Sequence, residues 1–343
     1  MNTLGKLLDK SPDKVLQKPS DELVLPECLV GLELELENCP LSKLTDSQFD
    51  TLYQFWTTHN EDSLRGPDCV ELVYARPLAG QNIVESLVTV EKLFKEADIQ
   101  PELSFRTSVH LHLDVRDITY SQFFNLIAVY VIFEEALFRF AGEDRKKTAY
   151  CVPMSSVLSD VNRLRNLHEG EFYRQVIENF RHKKYGAVNL WAMQKFGSLE
   201  FRHMEGCVDR KRILTWINII MCLKKYAIEH DHVPLGDWPK HISCSGGHNF
   251  LTEVFGQYAH LLDYPEIEYD MRKGIRLAQL FIYKDNIMEA VSWIKDRLWN
   301  KNTYEDVLEV CPDFWRNRSI IIMKAEQEGN LTLNLLTDLL TDN

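Results

Sequence analysis

Gly31-Leu32-Glu33-Leu34-Glu35-Leu36-Glu37 reads as a β-strand with two unlike faces, because side chains alternate along an extended chain. Leu32, Leu34 and Leu36 share one side, and Glu33, Glu35 and Glu37 share the other. At about 3.4 Å per residue, neighbouring glutamates stand ~6.8 Å apart and repel by roughly 2.4 kcal/mol at an effective dielectric of about 20. Water along an exposed edge, a bound cation or a shared proton must relieve that repulsion.

Further along the chain the same pattern recurs with different chemistry. In Phe105–Asp114, one face carries Arg106, Ser108, His110, His112 and Asp114, while Phe105, Val109, Leu111 and Leu113 fall on the other. In Gly197–Arg202, Ser198, Glu200 and Arg202 oppose Leu199 and Phe201. Glu71 lies within a fourth candidate strand, Cys69–Ala75. Each segment alone also has an ordinary reading: a hydrogen-bonded surface histidine pair, a structural Glu200–Arg202 ion pair, an exposed strand carboxylate. Together they predict a sheet with one face in the core and the other a wall of carboxylates with one or two imidazoles. Mostly oxygen ligands with occasional nitrogen suit Mg²⁺ or Mn²⁺, and hard cations in such sites usually carry phosphates.

Around these strands the apolar spacing predicts helices at Asp46–Thr58, Ile83–Ala97, Tyr120–Ala141, about Glu171–His182 and Lys211–Glu229, with short strands at Ala187–Met193 and Gly197–Met204. The fold class is therefore α+β. Residues 1–27 are polar and proline-punctuated and read as a mobile N-terminal arm; residues 28–230 form the main domain. The Pro- and Gly-rich break His232–Gly247 separates it from a mostly helical C-terminal region, 231–343. The aromatics of that region, including Trp293, Trp299 and Trp315, recur at helix-packing spacings, and the region would cover the mouth of the site or form an oligomer contact. The basic run Arg181–Lys184 reads as a solvated helix end.

The 343 residues are 45% apolar, enough for one large domain or two. A net charge of −12 disfavours nucleic acid and anionic membrane as partners. Eight scattered cysteines without a Cys-x-x-Cys pair, and no signal-like apolar segment at the N-terminus, predict a cytoplasmic, non-membrane protein.

Five motifs in order carry a resemblance: Gly31-Leu-Glu-Leu-Glu35, Asp62-Ser63 before Val70-Glu-Leu-Val73, Ser108-Val-His-Leu-His112, Tyr185-Gly-Ala-Val-Asn-Leu190 and Gly197-Ser-Leu-Glu-Phe-Arg-His-Met-Glu-Gly206. Their order and intervals, over about residues 28–226, resemble the amidoligase family of glutamine synthetase-like carboxylate–amine ligases. That resemblance implies a curved antiparallel sheet with flanking helices. It also implies ATP-dependent amide formation through an acyl phosphate, with small-molecule or peptide carboxylate and amine substrates. It further implies that Glu33, Glu35, Glu71, His110 and Glu200 ligate two or three Mg²⁺ or Mn²⁺ ions bridging ATP phosphates. His112 would approach a phosphate oxygen, Arg202 would face the transferred phosphoryl group, and Asn189 would hold substrate or nucleotide. Glu200 and Arg202 are then the catalytic pair.

Two positions depart from the family pattern: Arg106 is larger and more charged than expected there, and Glu37 lengthens the acidic row. Arg106 is a candidate anchor for a substrate carboxylate, although an ion pair with Asp114 or a neighbouring strand would explain it equally well. Two other functions compete. His110-Leu-His-Leu-Asp114 resembles the start of a zinc-hydrolase motif, but Val115 stands where that motif needs histidine. A non-catalytic nucleotide-binding relative would keep the same sheet without turnover.

Overall fold

A computed structural model describes residues 3–10, 17–61, 63–148, 150–154, 185–231 and 247–283. The helix expected at Glu171–His182, the basic run at 181–184, the break at 232–246 and the three C-terminal tryptophans lie outside the described residues.

Six strands form one antiparallel sheet: β1 (Val30–Leu36), β2 (Trp56–His59), β3 (Val70–Tyr74), β4 (Ser108–Asp114), β5 (Val188–Asn189) and β6 (Ser198–Glu205), in the order β2-β3-β1-β4-β6-β5. The helices are α1 (Leu4–Leu7), α2 (Asp46–Leu52), α3 (Gln81–Glu96), α4 (Tyr120–Ala141), α5 (Ala192–Phe196), α6 (Arg210–Glu229), α7 (Gly247–Phe255), α8 (Ala259–Leu262) and α9 (Ile267–Tyr283). The α+β expectation holds.

The leucines of β1 do what their alternation demands: Leu32, Leu34 and Leu36 are buried in the core, as are Val109, Leu111 and Leu113 of β4 and Leu199 and Phe201 of β6. α4 lies against this apolar face, with Tyr130 meeting Phe201 ring to ring at 5.9 Å. Burying side chains such as Phe123, Phe124 and Phe133 contributes about 1.5–3 kcal/mol each before entropy is counted. Thr119 and Gln122 form a capping box at the start of α4, which ends at Gly142. Lys224 on α6 is buried and ties that helix to the end of β4, donating to the Asp114 carbonyl (2.8 Å) and the Asp117 carboxylate (2.7 and 2.9 Å).

Several expectations change. Residues 3–10 and 17–27 are not a free arm: Leu4, Leu8 and Leu23 are buried in the common core, and Thr3 bridges to Thr119. The helix expected over Asp46–Thr58 stops at Leu52, and Trp56–His59 forms the edge strand β2 instead. An aromatic residue followed by two β-branched threonines suits a pleated surface better than a helix. β4 starts at Ser108 rather than Phe105, because Phe105 and Arg106 occupy a turn; Phe105, expected in the core, is 69% exposed. Residues 187–193 form only the two-residue β5 and then enter α5.

Helices α7 and α9 are no separate body. Phe250 and Phe255 of α7 pack on Phe133 of α4, at ring distances of 5.3 and 4.9 Å, and Met271 and Ala278 of α9 join the same core. They build a further layer behind α4, on the side of the sheet away from the glutamates. Residues 247–283 therefore do not cover the mouth of the site.

Candidate active site

Antiparallel pairing places β1 between β3 and β4, and β4 between β1 and β6. Residues directly opposite across such a pair share a face. Glu33 faces His110, His112 faces both Gly31 and Glu200, Glu35 faces Glu71, and Asn189 faces Glu200. The polar face thus gathers residues from five strands.

At its centre, one donor atom each from Glu33, His112 and Glu200 lie within 4.8 Å of one another. The Glu33 carboxylate accepts hydrogen bonds from both imidazoles, His110 Nδ1 at 3.0 Å and His112 Nε2 at 3.1 Å. His110 also approaches Glu200 at 3.7 Å, and its Nε2 lies 2.9 Å from Ser108 Oγ. Ser108 donates in turn to Glu35. His112 Nδ1 lies 3.2 Å from Ser198 Oγ. The backbone makes room for this ring: a Cβ on Gly31 would sit 3.1 Å from His112 Cβ.

Glu200 divides its two oxygens. One accepts from Asn189 Nδ2 at 2.7 Å and the other pairs with the Arg202 guanidinium. Arg202 Nε donates to the Tyr150 carbonyl at 3.1 Å, and Arg145 donates to the Arg202 carbonyl at 3.3 Å. Between Val109 and Leu111 the β4–β6 register slips, so β6 carries a bulge opposite His110. His203 follows Leu199 and Phe201 into the core, beside Tyr130, Phe138 and Trp216, and burial pushes its imidazole down to about 3. It takes no place on the polar face.

The electrostatics reflect crowding of negative charge around two histidines and one arginine. Burial alone would raise the Glu33 carboxyl, but the bonds from His110 and His112 outweigh it and hold it well below its ordinary range. Burial would lower His112, and its bond to Glu33 raises it instead. Burial would also raise Glu200, and Arg202 with the two histidines lowers it. Among the described residues Glu71 has no such cation: burial, with Glu33, Glu35, Glu61 and Glu200 nearby, pushes it up to about 8. An uncompensated carboxyl beside a three-donor cluster is the setting that a divalent cation relieves, and these oxygen and imidazole donors match the ligands of Mg²⁺ or Mn²⁺.

Glu33, Glu35, His110, His112, Asn189, Glu200 and Arg202 all stand on this face, with Glu71 beside Glu35 on β3. The three-donor cluster draws on His112, whereas the resemblance assigns the ligand role to His110 and the phosphate contact to His112. Glu37 leaves the row: it lies beyond the end of β1, is buried, and accepts from the Arg65 backbone N–H at 2.7 Å. Arg106 also lies apart, in its turn, with the guanidinium over the Phe105 ring at 4.3 Å. Asp114 pairs with Arg116 (2.9 and 3.1 Å) and not with Arg106, which also withdraws it from a His-x-His-x-Asp zinc set. Asp62 lies outside the described residues. Strand alternation does not reveal Arg145 or the bulge, since each depends on register between distant segments, and Arg116 lies just past the alternating segment that ends at Asp114.

Fold and site together define an α+β protein whose open sheet face gathers carboxylates, imidazoles and an arginine. The model of one family, described as "Putative amidoligase enzyme", matches residues 58–223. The amidoligase resemblance carried by the motifs is thus supported across that span. No curated protein matches the chain. Among the described residues, no helix is long and apolar enough to cross a membrane.

Proposed function

We propose that this protein joins a carboxylate to an amine at the expense of ATP, by way of an acyl phosphate. The observation that carries the reading is the convergence of Glu33, His112 and Glu200 from three separate strands, with Arg202 bound to Glu200 at the same point. In this reading Glu33, His112 and Glu200 hold Mg²⁺ or Mn²⁺, and Glu35, Glu71 and His110 complete the ligand wall. A bound ion supplies charge neutralisation for the phosphoryl oxygens.

A carboxylate is a poor acyl donor because its leaving group would be oxide. Taking the γ-phosphoryl group of ATP converts that oxygen into a phosphate leaving group and releases ADP. Arg202 is suited to the equatorial oxygens of the transferred group, since its charge is fixed and its donors form a planar fork. Asn189 and Arg202 fix both oxygens of Glu200, so the carboxylate enters the reaction already oriented. The amine then attacks the acyl carbon and expels phosphate.

The test is ADP release by the full chain from ATP, across a panel of amino acids, peptides and polyamines, with and without Mg²⁺ or Mn²⁺. The expected result is turnover that needs both the metal and an acid–amine pair, and that is lost in Glu33→Ala. Turnover without metal, or none with any pair, would overturn the reading. Nucleotide binding with no ADP release would mark a non-catalytic relative.

A further inference from the structure

Beside the metal-type cluster the sheet face opens into a cavity of about 220 Å³. Its floor is Gly31, Glu33, His112 and Ser198; its walls are mainly apolar, from Leu29, Val73, Ala75, Pro77 and Phe196. Small residues create it. Gly31 offers no side chain and Ala75 only a methyl, where larger groups would fill the space between β3 and β4. Phe196, half-exposed, stands edge-on to the His112 ring at 5.4 Å and closes one side.

Two lining arginines differ in kind. Arg116 is already committed to Asp114. Arg76, just after β3, is exposed and has no hydrogen bond or ion pair among the described residues. In a chain of net charge −12, an uncommitted guanidinium at the rim of an apolar cavity beside an acidic cluster is a ready counter-charge for an anion. The size suits a small acid, since a cavity of about 150 Å³ accepts benzene.

Resting on the ligase reading above, we propose that this cavity binds the carboxylate substrate, and that the substrate is a small acid with a second anionic group held by Arg76. The reacting carboxyl lies toward Glu33 and His112, the short apolar chain lies against Phe196 and Pro77, and the remote anion meets the guanidinium. Arg76, and not Arg106, then sets specificity.

The probes are glutarate and pentanoate, a diacid and a monoacid of equal carbon count, with Mg²⁺-ATP and hydroxylamine. Hydroxylamine takes the acyl group from an acyl phosphate, giving a hydroxamate and free phosphate while ADP accumulates. Binding of the same two acids to the full chain, followed by ligand-observed NMR without ATP, provides a readout independent of turnover. We expect glutarate to be preferred at least tenfold in both assays. Arg76→Ala should raise the glutarate KM at least tenfold and bring the two acids within about twofold. Arg76→Lys should recover part of the preference, and Ala75→Leu should weaken both acids. Arg272→Ala, an equal charge change on α9, should leave the preference as it was. Equal binding of the two acids, or a preference that survives Arg76→Ala, overturns the proposal whatever the turnover. Glutarate binding that depends on Arg76 without hydroxamate upholds the cavity and overturns the ligase reading instead.

Discussion

At the scale of single residues, the site is a contest between desolvation and pairing, and Glu71 is the group that loses it. Its carboxyl is raised to about 8, so the folded state holds a proton that the unfolded state releases from about pH 4.5 upward. Stability therefore falls as pH rises through that window. Glu71→Gln removes the penalty. In metal-free protein at pH 8 it should add about 1–2 kcal/mol, discounted for the partial exposure of the group, or several degrees in Tm. At pH 4 the gain should vanish, which calorimetry at the two pH values would show. Glu200→Gln acts oppositely. It strips the charge partner from Arg202, so we expect a loss of about 1–3 kcal/mol together with a fall of at least ~10²-fold in ADP release. Retained turnover would remove Glu200 from the chemistry. Most residues of this face were visible in the sequence, since Glu33, Glu35, His110, His112, Glu200 and Arg202 all sit at alternate positions of strand-like segments. Alternation places a residue on a face without saying what lies across from it. Hence Arg106 looked like a neighbour of Asp114, when Arg116 holds that carboxylate at 2.9 Å.

At the scale of elements, the register of β1 against β4 places Gly31 under His112. Gly31→Ala would bring a methyl group to 3.1 Å of His112 Cβ and tilt the ring away from Glu33 and Glu200. The expected result is at least a tenfold loss of Mn²⁺ affinity by titration calorimetry, with about 1 kcal/mol or less lost in stability. Strand and helix positions were legible wherever a long periodic run met a cap: Tyr120–Ala141 agrees end to end, because Thr119 and Gln122 start it and Gly142 stops it. They were illegible where tertiary pairing overrode local preference. β2 is four residues of edge strand that exist because Trp56 is buried and donates to the Ser86 carbonyl at 3.2 Å. The β6 bulge is written in neither strand alone, since it arises from fitting one against the other.

For the whole molecule, the two faces of the sheet separate chemistry from most of the stability. The glutamates and histidines occupy one face; α4, α6, α7 and α9 stack behind the other. This arrangement predicts independence. Gly274 of α9 lies so close to α4 that a Cβ there would come within 2.5 Å of Ile132 Cα. Gly274→Leu should therefore force the helices apart and cost about 1–3 kcal/mol, while Mn²⁺ affinity of the folded fraction stays within twofold. A parallel loss of affinity would show that the layers are coupled. The break near residue 231 suggested a boundary in the sequence, yet the helices beyond it share one core with those before it. Apolar spacing identifies a packing face without naming its partner.

Lys224 has a practical consequence. Its ammonium is sealed between α6 and the end of β4, where the Asp114 carbonyl and the Asp117 carboxylate occupy its protons. An acylating reagent that labels exposed lysines within seconds can reach this amine only when α6 lifts from the strand. The labelling rate of Lys224, read by mass spectrometry, is accordingly a clock for local opening at the edge of the cavity.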